Sequence, residues 1–329
     1  MLSILSKTNI TLVALYLATA LAFPPEHLWP RETTIKITSA ELSKVDLFSQ
    51  YAGAAYCYSN VHNAVGTRLA CSAEGGKCPA IEAAGATVLQ AFGTHGGTTT
   101  EGYLALDTIS KLIVIAFQGT QLDSSPRDVL TNTAIIQRRT TLCGTANKHD
   151  GCVVHDGFYR SMMDAWANIT SVLIAAIHSR PDYKIVATGH SLGGAIAALL
   201  AVQLRNYGHI VDLYTYGQPH IGNQDINLYI QSQSPTQGTN VRVTHTNDVV
   251  PQLPPHSWQP EWDHYYPEYW ITADGTTTTE NVNVVIGSLF SASGNEGTKS
   301  WFGLYYDLFA GFKAHGKYFA LSGCNSSPP

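Results

Sequence analysis

Apolar positions recur at helical spacing through TSAELSKVDLFSQYAGAAYC, which predicts a helix starting at Thr38 or Ser39. GYLALDTISKLIVIAFQG carries two β-rich runs around a polar turn and predicts a hairpin. GFYRSMMDAWANITSVLIAAIHSRPDY reads as one long helix ended by Pro181. Strand KIVATG follows, then a helix from Leu192 to about Asn206, then strands VDLYTYG and VRVTHT. Strands alternating with helices specify an α/β fold with a large, mostly parallel central sheet covered by helices on both faces. In such sheets ligands bind beyond the carboxyl ends of the strands, so chemistry is sought there.

The first residues stand apart from this pattern. MLSILSKTNITLVALYLATALA has Lys7, an apolar run from Ile10 and the small-residue pattern Ala20-Leu21-Ala22. It reads as a secretory signal over 1–22, cleaved after Ala22. Its apolar run is short of the roughly 20 residues that a membrane span needs. Residues 23–36, rich in proline at their start, are expected as a propeptide or disordered leader, and 37–329 as one domain without an internal linker or repeat. An extracellular, monomeric protein without a transmembrane segment is expected.

Composition narrows the partners. Charged residues make up only 13% and the net charge is −5, which disfavours nucleic acid or an anionic membrane. In an oxidising compartment the 6 cysteines point to disulfides. Cys71 with Cys78, and Cys143 with Cys152, are spaced to staple short loops, while Cys57 and Cys324 would tie the first helix to the C-terminus; sequence spacing leaves other connectivities open. Asn168 and Asn325 open N-x-S/T sequons and are glycosylation candidates.

The strand KIVAT runs straight into Gly189-His190-Ser191-Leu192-Gly193, and an alanine-rich helix leaves it. Strand, G-x-S-x-G and helix together form the context of a nucleophile elbow, in which a sharp turn lifts the serine hydroxyl clear of the sheet. A serine needs a base to take its proton and an acid to orient that base. In the chain order Ser, acid, His, the acid is expected at Asp248, just past strand VRVTHT. Asp212 opens a strand at the wrong end, and Asp225 reads as surface helix. His256, His264 and His315 follow Asp248; the late, loop-like position of His315 favours it, and His190 is expected to point elsewhere.

These segments together resemble the secreted fungal class 3 lipases, the group that also contains type A feruloyl esterases. The resemblance runs from about Leu47 to Cys324 and rests on AAYC, KLIVIAFQGT, HDGF, PDYKIVATGHSLGGA, DLYTYGQP, VRVTHTNDVVPQLPP, PEYWI and AHGKYFALSGC. It implies an α/β-hydrolase variant and a catalytic domain over 37–329. It implies Ser191 as nucleophile, Asp248 as acid and His315 as base, with His264 structural. It also implies the pairs Cys57–Cys324, Cys71–Cys78 and Cys143–Cys152. The oxyanion donors would be the N–H groups of Leu192 and Thr120, the latter in Gln118-Gly119-Thr120 after strand KLIVIAF. The activity implied is triacylglycerol hydrolysis at a lipid–water interface, with no cofactor and no metal. The alternative is a feruloyl esterase acting on plant cell-wall esters.

Four features bear on that choice. QLDSSPRDVLTN lies where the lipases carry a lid, and Leu122, Val129 and Leu130 are its only sizeable apolar residues, leaving it more polar than a lipase lid. Gln118 and His220 replace arginines of the family pattern. Trp258, Trp262, Tyr265, Tyr266, Tyr269 and Trp270 form an aromatic group that reads more readily as packing than as a sugar or aryl platform. His149, Asp150, His155 and Asp156 cluster in HDGCVVHDGF without zinc-site spacing, and helix entry explains them better.

Overall fold

The computed structural model describes residues 32–62, 64–93, 100–120, 136–144, 151–256, 262–298, 311–319, 321 and 324. Its main strands are β1 (Thr33–Lys36), β2 (Thr87–Phe92), β3 (Gly102–Asp107) and β4 (Leu112–Phe117). A small ribbon follows, β5 (Gln137–Arg139) with β6 (Val153–His155). The rest are β7 (Lys184–His190), β8 (Val211–Tyr216), β9 (Asn240–His245), β10 (Glu268–Ile271) and β11 (Val282–Ile286). The helices are α1 (Ser39–Ala54), α2 (Tyr58–His62), α3 (Pro79–Ala84), α4 (Asp156–Ser179), α5 (Leu192–Asn206) and α6 (Gln224–Gln233).

The 9-stranded sheet has the order β1-β11-β10-β9-β8-β7-β4-β3-β2. Its centre, from β10 through β9, β8 and β7 to β4, is parallel. Antiparallel pairs flank this parallel centre at both margins. The cause is connection length: the turn between β3 and β4 is far too short for the crossover that a parallel pair requires.

The alternation of side chains along β4 builds the two cores. Ile113, Ile115 and Phe117 face a cluster that holds α4 and α5, while Leu112, Val114 and Ala116 face a second cluster that holds α1. All six residues of β4 are buried, as expected for a central strand covered on both faces. Helix α1 begins as the pattern predicts: Thr38 is its N-cap, and the Thr38 N–H donates to Glu41 Oε2 at 2.9 Å, closing a capping box. Arg205, buried near the end of α5, donates to the carbonyls of Val211 and Thr239 and to Asn240 Oδ1, pinning that helix to the amino ends of β8 and β9.

One boundary needs correction. The expected leader over 23–36 overlaps β1, whose residues Thr33 to Lys36 pair with β11 as the sheet's edge. Residues 23–31 lie outside the described residues. Among the described residues, no helix is long and apolar enough to cross a membrane.

Candidate active site

Ser191 stands between the last residue of β7 and the first of α5, with φ 57 and ψ −130. A non-glycine residue rarely adopts that conformation, and surrounding structure must hold it. The Ser191 N–H donates to the Tyr216 carbonyl at 2.8 Å, fixing the turn to β8. The flanking glycines are required by backbone crossing. A Cβ on Gly189 would lie 2.4 Å from the Gly193 backbone, and one on Gly193 would lie 2.3 Å from the Phe117 carbonyl oxygen.

Asp248 follows the carboxyl end of β9 and is fully buried, and His315 ends a helical stretch at 311–315. His315 Nδ1–H donates to Asp248 Oδ2 at 2.8 Å. That bond fixes the tautomer and leaves Nε2, also buried, as an acceptor without a hydrogen-bond partner among the described residues. Asp248 is held at its carboxylate by two further donors and at its backbone carbonyl by a third. The Val250 N–H donates to Oδ1 at 2.9 Å, the Tyr318 hydroxyl donates to Oδ2 at 2.5 Å, and Asn295 Nδ2 donates to the Asp248 carbonyl at 2.9 Å. Burial, and then the adjacent Asp248 charge, push the Tyr318 hydroxyl well above its ordinary pKa, so it stays a donor. Tyr318 was not singled out from the sequence; its position three residues after His315 was the available signal.

The loop Gln118-Gly119-Thr120 leaves β4 beside the elbow, since Phe117 and Gly189 are register partners. A Cβ on Gly119 would lie 3.0 Å from Ser191 Cβ. Gly119 and Leu192 therefore approach Ser191 from two directions. The Leu192 N–H, at the first position of α5, lies outside the helix's own ladder.

The rejected alternatives sit elsewhere. Asp212 Oδ1 accepts from the Thr239 N–H at 2.8 Å, at the amino end of β8. Asp225 is in the first turn of α6. His256 Nδ1 is engaged by the Trp262 carbonyl at 2.7 Å and lies 3.0 Å from Asp263 Oδ1. His264 Nε2–H donates to the Pro251 carbonyl at 2.7 Å.

The disulfides Cys57–Cys324, Cys71–Cys78 and Cys143–Cys152 are formed, with Cα separations of 4.8, 5.7 and 6.4 Å. Asn168 is exposed on α4, with its side-chain amide donating to the Asp164 carbonyl at 2.8 Å. Leu122, Val129, Leu130, Asn325, Trp258, His149 and Asp150 lie outside the described residues. Trp262 and Tyr265 are fully buried, which makes them packing rather than platform. His155 caps α4 by accepting the Phe158 N–H, and Asp156 pairs with Arg138 at 2.6 Å and Arg160 at 2.8 Å, so helix entry explains that cluster.

A family model described as Lipase (class 3) matches residues 114–258. The secreted mono- and diacylglycerol lipase A of Penicillium cyclopium is 36% identical over 295 residues, covering 89% of each chain. The chain belongs to the class 3 lipases. The secreted mono- and diacylglycerol lipase 1 of Fusarium solani is 38% identical over 239 residues, covering 72% of this lipase and 66% of the relative. The solved mono- and diacylglycerol lipase of Aspergillus oryzae superposes with a TM-score of 0.71 at 36% identity, covering 86% of this chain and 97% of that one. The fold is accordingly of the α/β-hydrolase type, and the protein is an ester hydrolase.

Among the described residues three groups bring metal-ligating side chains together, and none of these suits a metal. Cys57, Cys71, Cys78 and Cys324 are spent in disulfides. His220, His264 and Glu296 are buried with ligand atoms within 4.8 Å of one another, and His220 Nε2 lies 3.2 Å from Glu296 Oε1. The two imidazoles, however, stack at 4.1 Å with planes 28° apart. Ring-nitrogen lone pairs lie in the ring plane, so those of stacked rings do not converge on one ion. The set is a buried polar cluster, with His264 bonded to the Pro251 carbonyl in the loop after Asp248.

Proposed function

We propose that this lipase cleaves acylglycerol esters outside the cell through an acyl-enzyme on Ser191. The observation that carries the reading is the geometry of His315: Nδ1–H is committed to Asp248 at 2.8 Å, and Nε2 is left as a buried acceptor in the site of a strained serine. His315 Nε2 takes the proton as Ser191 Oγ attacks the ester carbonyl carbon. Asp248 holds the imidazole in the reactive tautomer and stabilises it once charged. The N–H groups of Thr120 and Leu192 receive the oxyanion. The imidazolium then protonates the leaving glyceride alkoxide. Water, deprotonated by the same imidazole, attacks the acyl-enzyme and releases the fatty acid.

The relatives' names as mono- and diacylglycerol lipases support partial glycerides as substrates, alongside triacylglycerols. Their description as secreted supports export, with residues 1–22 as the signal. Residues 37–329 are assigned as the catalytic domain, extended by β1, and the protein as a monomer.

Labelling by a serine-directed organophosphonate tests the chemistry. Labelling should vanish in Ser191→Ala, and a wild-type protein that does not label would sink the reading. A fully active His315→Ala beside an inactive His264→Ala would overturn the choice of base. Titrating fatty acid released from mono-, di- and triacylglycerol emulsions, with methyl ferulate in parallel, tests the substrate class. Faster turnover of methyl ferulate would move the enzyme to the feruloyl esterases. A steep rise in tributyrin hydrolysis past its solubility limit would assign a closing lid.

A further inference from the structure

We propose that His190 is a positioning residue for ester hydrolysis, tying the backbone of the base His315 to the oxyanion loop at Gly119 through the hydroxyl of Tyr56. His190 acts on the base assigned above, so the inference rests on that assignment.

His190 is buried beside the nucleophile, and both ring nitrogens are engaged. Nε2 lies 2.8 Å from the His315 carbonyl oxygen. A carbonyl only accepts, so Nε2 carries the proton. A neutral imidazole then has a lone pair at Nδ1, and the Tyr56 hydroxyl, 2.8 Å away, donates to it. The Gly119 backbone packs directly against the same hydroxyl. A Cβ on Gly119 would lie 2.3 Å from that hydroxyl and 2.6 Å from the His190 carbonyl oxygen, which shows how closely the loop is seated. Four chain segments far apart in sequence thus meet, Gly119 by close contact with Tyr56, and Tyr56, His190 and His315 by hydrogen bonds.

The charge state of His190 follows from its surroundings. The groups facing it are the Tyr56 hydroxyl, the His315 ring with centroids 4.4 Å apart, and the Tyr318 ring at 5.5 Å. Burial, and then the neighbouring His315, hold His190 well below the ordinary histidine pKa. It therefore stays neutral when His315 becomes imidazolium during acylation. A second cation stacked on that ring would oppose the proton transfer, and a neutral ring does not.

Substitutions at His190 separate positioning from packing. His190→Phe keeps a ring and deletes both hydrogen bonds. His190→Gln carries an amide N–H at about the reach of Nε2, and His190→Asn places its amide too near the backbone to serve. Each variant is titrated with the organophosphonate, and kcat, KM and the pH profile are measured per titrated site on the soluble ester p-nitrophenyl butyrate. His190→Phe should lower kcat roughly 10- to 100-fold with KM little changed, as a loosened base loop misplaces His315. Its acid limb should move to lower pH, since a weakened Asp248 contact stabilises the imidazolium less. His190→Gln should recover much of both, and should exceed His190→Asn even where the Phe variant fails to fold. Equal kcat and an unchanged acid limb in the Gln and Asn variants would overturn the inference and leave His190 a packing residue. A wild-type protein that does not label would bring down the serine assignment and this inference with it.

Discussion

Gly119→Ala tests the oxyanion loop with one carbon atom. Gly119 has a φ outside the left-handed region, so alanine meets no conformational penalty there and the effect is purely steric. The added Cβ would lie 2.3 Å from the Tyr56 hydroxyl, 2.6 Å from the His190 carbonyl oxygen and 3.0 Å from Ser191 Cβ. Two of these neighbours resist movement. The carbonyl belongs to β7, and the hydroxyl is held by His190. Relief to ordinary contact distance moves the loop by about 0.5–1 Å. Catalytic groups tolerate displacements of about 0.5 Å, and losing one oxyanion donor costs roughly 2.7–4 kcal/mol. Turnover should fall about 100-fold or more, while overpacking lowers stability by about 1–3 kcal/mol. The assay is kcat on p-nitrophenyl butyrate, normalised by phosphonate titration so that misfolded protein is not counted. A kcat per titrated site close to wild type would mean that residues 118–120 do not carry an oxyanion donor.

Asp248→Asn should leave the fold intact and drop kcat by about 10⁴, because the amide stabilises neither the reactive tautomer nor the imidazolium; steady-state rates on the same ester check this. Acid should destabilise the lipase through its buried histidines. Burial lowers His155 from 6.5 to about 4, so between these values the unfolded chain binds a proton that the folded chain does not. Stability therefore falls as pH drops through that window, by about 3 kcal/mol for this residue alone. His155→Asn, which supplies a favourable N-cap in its place, should flatten the dependence of Tm between neutrality and about pH 5. A slope equal to wild type would refute the assignment to His155. Replacing both Cys57 and Cys324 with serine opens a closure across 267 residues and should cost up to about 5 kcal/mol in denaturant unfolding. Activity should fall ahead of global unfolding, because Cys57 adjoins Tyr56.

The elbow was legible because its requirements are contiguous: an apolar strand, two glycines where backbones cross, a serine, and a helix. Asp248 was readable from its place just beyond a strand. His315 was separable from His256 and His264 only weakly by pattern, since a histidine's role depends on what its second nitrogen meets. In the fold, His264 spends Nε2–H on the Pro251 carbonyl, whereas His315 keeps Nε2 as an acceptor. The hydrogen-bond partners of His190 and Asp248 were illegible for a similar reason. Tyr56 and His190 are 134 positions apart, and Asp248 and Tyr318 are 70 apart, so no local pattern records either pair. Strand β1 was hidden in the expected leader because TTIK is short and exposed throughout, and its pairing partner β11 comes from the other end of the chain. The mixed sheet margins were half visible: the β3–β4 hairpin was predicted, but nothing local showed that it continues the central sheet.

The sheet order explains why one site collects so many distant residues. Strands β4, β7, β8 and β9 are consecutive and parallel, so all four release their chains at the same end. At about 4.8 Å per strand step they deliver, in order, the Gln118–Thr120 loop, Ser191, Gly217 and Asp248. Gly217 completes the arrangement by what it lacks. It has φ 55, and a Cβ there would lie 2.8 Å from His315 Cε1 and 3.1 Å from Asp248 Oδ2. His315 therefore lies over a bare backbone at the end of β8, between Asp248 beyond β9 and Ser191 after β7. A side chain at Gly217 would push the imidazole off that path even with Ser191, Asp248 and His315 all present.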